Sequence, residues 1–153
     1  MTFISTKTFG HDIGLSAAFR QWRAKDSHCR FIHGYALSVR LEFEADTLDE
    51  RNWVVDFGGL KGFRKDLEAT FDHKLIVAAD DPERARLMHL AKYDLADVVV
   101  LENTGCEAFA RHVFTLAEIW LEEQNLTPRV RIRSVEVCEH GANSAIYTGV
   151  DND

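Results

Sequence analysis

Apolar and polar positions along this chain follow a period of two, then a helical period, then a period of two again. Ile13, Leu15, Ala17 and Phe19 alternate with smaller or polar residues, as in a half-buried strand. Leu37, Val39, Leu41 and Phe43 alternate with Ser38, Arg40, Glu42 and Glu44 and predict a second strand. A loop rich in Arg, His and Cys, residues 20–33, joins the two. Next, Leu60, Phe63, Leu67 and Phe71 recur at helical spacing, with Asp56 placed to cap the start. Asp80-Asp81-Pro82-Glu83 reads as a cap with proline at the first helical position, opening a short helix to about Tyr93. Phe109, Val113, Leu116 and Trp120 form one stripe of a longer helix from about Cys106 to Gln124. The period of two returns at Val130 and Ile132 and continues on the opposite parity at Val135 and Val137, which predicts a bulge near Ser134. Residues 139–144 read as a connecting loop and 145–150 as a closing strand.

These elements predict an α+β fold, ββααββ with a short inserted helix: a four-stranded antiparallel sheet with two main helices on one face. No linker or repeat divides the chain, so residues 1–153 read as a single domain. A small open sheet leaves two unpaired edges, and a homo-oligomer that joins them is the physical expectation.

Composition narrows the class. The 153 residues are 46% hydrophobic and 28% charged, enough to bury a core without disulfides. Cys29, Cys106 and Cys138 are an odd number at no finger-like spacing. The start, Met-Thr-Phe-Ile-Ser-Thr-Lys, has no apolar leader, and no run reaches the roughly 20 apolar residues of a membrane helix. A cytoplasmic protein without a membrane partner is expected. The net charge of −7 argues against a nucleic-acid surface. Against that background Arg20, Arg23, Lys25 and Arg30 cluster around Cys29, either as a solvated basic loop or as a pocket for a small polyanion such as a triphosphate ester.

Several short motifs then fall in a recognisable order: Ser16-Ala-Ala-Phe19-Arg20, Cys29-Arg-Phe-Ile-His33-Gly-Tyr35, Trp53-Val-Val-Asp56-Phe57, Asp72-His73, Glu102-Asn-Thr-Gly-Cys-Glu107, and Glu139 ahead of Ile146-Tyr147. Together they resemble the 6-pyruvoyl-tetrahydropterin synthase / 6-carboxytetrahydropterin synthase family over nearly the whole chain. The resemblance implies the tunnelling fold, with subunits closing into trimeric barrels that stack as hexamers and active sites at subunit interfaces. It also implies a pterin or related heterocycle as ligand, 7,8-dihydroneopterin triphosphate in the family.

In the family, three histidines hold a catalytic zinc. Only His33 matches them here, while Phe19 and Tyr35 occupy the other two positions. Phenylalanine cannot ligate a metal and neutral tyrosine is a poor zinc ligand. No metal cofactor is therefore expected, unless a site is rebuilt from Cys29, His28 or His11.

The resemblance makes Cys29 the general base and Asp72-His73 the proton-shuttling pair. A lone cysteine is otherwise a small buried hydrophobe, and an Asp-His pair is otherwise structural. It makes Glu139 the anchor for the heterocycle's N–H donors and Glu107 a second acid near the ring; otherwise they are a strand-end charge and a first-turn helix glutamate. Thr104, Arg20, Arg23 and Tyr35 are implied substrate contacts. His140 stands beside Glu139 either as a ligand contact or as an exposed loop histidine. Residues 80–101 form a longer connection than the family's, as a lid or an altered interface. Three readings stay open: a pterin-pathway enzyme acting without zinc, with Tyr35 and Lys74 as candidates for lysine–tyrosine chemistry known on this fold; a pterin- or purine-binding protein without turnover; and a zinc synthase with replaced ligands.

Overall fold

The computed structural model describes residues 1–149. The longest strand, β3 (His33–Ala45), is its spine, because its alternation turns Leu37, Val39, Leu41, Phe43 and Ala45 into the core. One side of β3 pairs antiparallel with β1 (Phe3–Phe9) along its C-terminal half and with β2 (Leu15–Phe19) along its N-terminal half. The other side pairs with β6 (Val130–His140), which pairs in turn with β7 (Asn143–Tyr147), both antiparallel. Helices α1 (Lys61–Phe71) and α3 (Cys106–Glu123) pack on the inner face. They bury Phe63, Leu67 and Phe71 from one and Phe109, Val113 and Trp120 from the other. Fully burying each such side chain contributes about 1.5–3 kcal/mol. Asp56 caps a 3₁₀ turn, Phe57–Leu60, accepting from the Gly58 amide at 2.8 Å, and that turn leads into α1.

The sheet departs from the expected four antiparallel strands. It is a mixed sheet of seven, because β4 (Lys74–Ala78) and β5 (Asp97–Leu101) extend β2 in parallel. Residues 74–101 thus form a β–α–β unit, with α2 (Arg84–Lys92) covering a satellite core of Leu75, Val77 and Leu87. The buried strand β4, Leu75-Ile-Val-Ala78, and the half-buried edge strand β5, Val98-Val-Val-Leu101, are short apolar runs that carry no alternation to read. β1 escapes for the opposite reason: it is largely exposed, so its apolar signal is weak. Arg133 is the extra residue of the bulge expected near Ser134, since Glu42 pairs with Ser134 and Phe43 with Ile132. The expected 139–144 loop shrinks to Gly141 and Ala142, and β7 ends at Tyr147. Val150, placed in the closing strand by its pattern, lies outside the described residues. Among the described residues, no helix is long and apolar enough to cross a membrane.

Candidate active site

Phe19, His33 and Tyr35 meet because β2 and β3 run side by side: Phe19 opposes His33, and Tyr35, two residues on, faces the same side. The approach is close enough to demand the intervening glycine, since a Cβ on Gly34 would sit 2.6 Å from the Ala17 carbonyl oxygen. Phe19 is 1% exposed and stands edge-on to Phe109 at 4.9 Å between ring centroids. His33 has its Nδ1 2.8 Å from the Phe31 carbonyl and its Nε2 3.1 Å from the Tyr35 hydroxyl. A carbonyl only accepts, so this network assigns the proton to Nδ1 and leaves Nε2 accepting from Tyr35. The three positions therefore offer one imidazole nitrogen already hydrogen-bonded, one phenol and one hydrocarbon ring. That set does not fit a three-nitrogen zinc site with an open fourth position. Among the described residues, no group of three His, Cys, Asp or Glu side chains stands ready for a metal.

Around Tyr35 the acids and thiols gather. Glu139 is the extra residue of a second bulge, between Cys138 paired with Ser144 and His140 paired with Asn143. Bulges re-aim side chains, and this one leaves Glu139 half-buried near Tyr35 and the buried Cys106 thiol. Burial pushes the Tyr35 phenol above its ordinary value, and the charges of Glu139, Cys29 and Cys106 add to it. Cys106, at the start of α3, is pushed up to about 12, mainly by burial and further by Glu139 and Glu107. Among the described residues, no cationic side chain pairs with Glu139, which leaves its carboxylate open to a donor-rich ligand. Glu107 is exposed one position beyond Cys106. The His140 ring lies 6.1 Å from Tyr35, and its Nδ1 accepts from the Ala142 amide at 3.2 Å.

Cys29 is half-buried on a 3₁₀ turn, His28–Arg30, whose cap Ser27 accepts from the Cys29 amide at 3.1 Å. Asp72 and His73 lie elsewhere in the chain, at the junction of α1 and β4. His73 takes φ 58° there, a left-handed helix end, and its amide donates to the Ser16 carbonyl at 2.6 Å. Its exposed ring stands 2.7 Å from the Asp72 carboxylate. One chain therefore brings Cys29 and Glu139 near Tyr35 and sets the Asp72–His73 pair across β2 from it, since Tyr35 and Lys74 both pair with Ala17.

Two arginines of the basic cluster are paired with carboxylates. Arg20 makes a bidentate ion pair with Asp81, at 2.8 and 2.5 Å, and Arg23 pairs with Asp80 at 2.7 Å. Thr104 donates its hydroxyl to the Arg20 carbonyl at 2.7 Å. Lys74 pairs with Asp97 across β4 and β5. Asp80 and Asp81 read in the sequence only as a helix cap, and Cys106 only as part of a motif. The signal for the acids was two carboxylates with as many arginines some 60 positions away, which no local pattern connects.

An open cleft of about 670 Å³ runs along α3, lined by Thr104, Glu107, Arg111, His112 and Tyr147 among others. An apolar groove of about 380 Å³ lies beside β1, with Phe3, Ile4, Trp53 and Phe57 in its walls.

The profile of the 6-pyruvoyl tetrahydropterin synthase family matches residues 10–150, nearly the entire chain. The chain belongs to the 6-pyruvoyl tetrahydropterin synthase family. Among its relatives is the 6-carboxy-5,6,7,8-tetrahydropterin synthase of Aquifex aeolicus (strain VF5), 29% identical over 121 residues, which are 78% of this chain and 75% of that protein. The enzyme of the same name from Rickettsia typhi (strain ATCC VR-144 / Wilmington) is 38% identical over 56 residues, 36% of this chain and 41% of that protein. An uncharacterized protein of Wolinella succinogenes shares the fold at a TM-score of 0.80, with 20% identity, over 98% of this chain and 99% of its own. The 6-pyruvoyl tetrahydropterin synthase of Plasmodium falciparum does so at 0.70, with 16% identity, over 97% and 98%.

Proposed function

We propose that this chain is a pterin-pathway enzyme of the 6-pyruvoyl/6-carboxytetrahydropterin synthase type, acting on 7,8-dihydroneopterin triphosphate or a related pterin through a site without the family's zinc. The observation that carries this reading is the gathering of the Glu139 carboxylate, the Tyr35 hydroxyl and Cys29 at one end of β2 and β3. Glu139 accepts the ring's N–H donors and fixes the heterocycle. Cys29, as thiolate, takes a proton from the substrate side chain. The open edges of β1 and β7 support a trimer-based homo-oligomer that pairs them.

A second reading is a pterin-binding protein without turnover, and the hydrogen-bonded His33 beside Phe19 favours it. Losing a Lewis acid removes several kcal/mol of charge stabilisation. Product analysis with 7,8-dihydroneopterin triphosphate, alongside calorimetric pterin binding, separates the two. Turnover that Cys29→Ala abolishes while binding persists supports the enzyme. Binding that Glu139→Ala weakens, without turnover in the unaltered protein, supports the binder. Undiminished pterin affinity in Glu139→Ala would overturn the placement of the ligand in both.

A further inference from the structure

We propose that Asp81 is a positioning residue for Cys29: the β4–α2–β5 unit braces the loop after β2 and so sets where that thiol stands. This rests on the reading of Cys29 as the reacting group. Asp81 is the one charged side chain among the buried polar residues described, the others being Ser38 and Ser134. Its carboxylate takes both fork contacts of Arg20 and also accepts from the Glu83 amide at 2.8 Å, which ties it to the start of α2. An apolar pair would join two segments equally well; a bidentate pair also fixes their angle and spacing.

The same junction repeats on its exposed side. Trp22 Nε1 donates to Asp80 at 3.1 Å, and the Arg23 guanidinium, bound to the same carboxylate, lies 4.3 Å from the Trp22 ring centre. Thr104, just past β5, holds the Arg20 carbonyl, and Gly105 presses on Gln21 so closely that a Cβ would come 2.9 Å from its Oε1. From Gln21 the path to the thiol is short. The Gln21 amide donates to the Cys29 carbonyl at 2.8 Å, and turn bonds from Ala24 to Gln21 and from Ser27 to Ala24 close the rest of the loop. Both ends of the unit thus grip residues 20–23, and Gln21 passes that position to Cys29. Arg20 and Arg23 serve this brace through Asp81 and Asp80.

The test compares Asp81→Asn and Asp81→Glu with the unaltered protein. The readout is the rate of Cys29 alkylation by iodoacetamide, resolved by peptide mass spectrometry with Cys138 as the internal reference. Asp81→Asn is expected to change the Cys29 rate about fivefold relative to Cys138, and Asp81→Glu to restore most of it. With 7,8-dihydroneopterin triphosphate, kcat is expected to fall about tenfold or more in Asp81→Asn while KM stays nearly constant. Should Asp81→Asn fail to fold, Thr104→Val removes the second grip, and a shift in the Cys29 rate relative to Cys138 is expected there too. An unchanged Cys29 rate in a folded variant overturns the proposal, as does an equal change at Cys29 and Cys138. A shifted rate in a protein whose unaltered form shows no turnover upholds the brace and overturns the catalytic reading of Cys29 alone.

Discussion

Replacing Phe19 by alanine asks whether its ring closes the position where a metal-binding relative would present a nitrogen. Phe19 is 1% exposed and contacts Phe109 edge-on at 4.9 Å, and Phe109 in turn meets Phe71 at 5.2 Å. Truncating a buried phenylalanine costs about 3–5 kcal/mol, and an edge-to-face contact accounts for about 0.5–1.5 kcal/mol beyond area alone. The helices and sheet on either side are packed against other residues, so the void cannot collapse cheaply. We expect about 4 kcal/mol, which in a chain of this length lowers Tm by about 8–16 °C. Urea denaturation checks it directly: the midpoint falls while the slope stays constant. Phe19→Leu, which keeps most of the volume, should cost about 1.5 kcal/mol or less. A loss below about 1 kcal/mol for the alanine variant would mean that the ring lines open space rather than core, and the argument for a filled metal position would fail.

Three further outcomes are expected. The double substitution Phe19→His with Tyr35→His should take up close to one zinc per chain by elemental analysis, whereas either single substitution should not, because two nitrogens rarely hold a catalytic metal. Arg20 holds the Asp81 carboxyl below the usual carboxylate range. Its contribution to folding is thus complete above about pH 4 and fades as the pH falls through the folded value. Asp81→Asn should flatten that acid limb in pH-dependent urea melts, and an unchanged limb would refute the pairing. The Cys106 thiol, pushed up to about 12, should resist iodoacetamide near pH 8.5, about the ordinary thiol value, and react once the chain is unfolded. Rapid labelling in the native protein would show that the thiol is not buried against Glu139.

The helices and the central strands were legible because each turns one apolar stripe or face to a single core. Phe63, Leu67 and Phe71 announce α1, and Leu37 to Phe43 announce β3, in the spacing of their side chains alone. The bulge near Ser134 was legible too, as a change of parity. The parallel strands β4 and β5 were not, since each is a short continuous apolar run without the alternation that marks a strand. The identities of Phe19, His33 and Tyr35 were written in the chain, but how the Phe19 ring is packed was not. That Phe19 packs on Phe109 is a fact about a neighbour from α3.

Arg20 and Arg23 show the division most clearly. By sequence they were an unpaired positive cluster beside a thiol, open to a solvated loop or an anion pocket. Their partners, Asp80 and Asp81, lie some 60 residues away and meet them only because β4 runs parallel to β2 and carries the start of α2 to the mouth of the loop. Side-chain type and local period determine which elements form and which chemistry is available. Which charge meets which depends on strand order, a long-range property that only the folded chain decides.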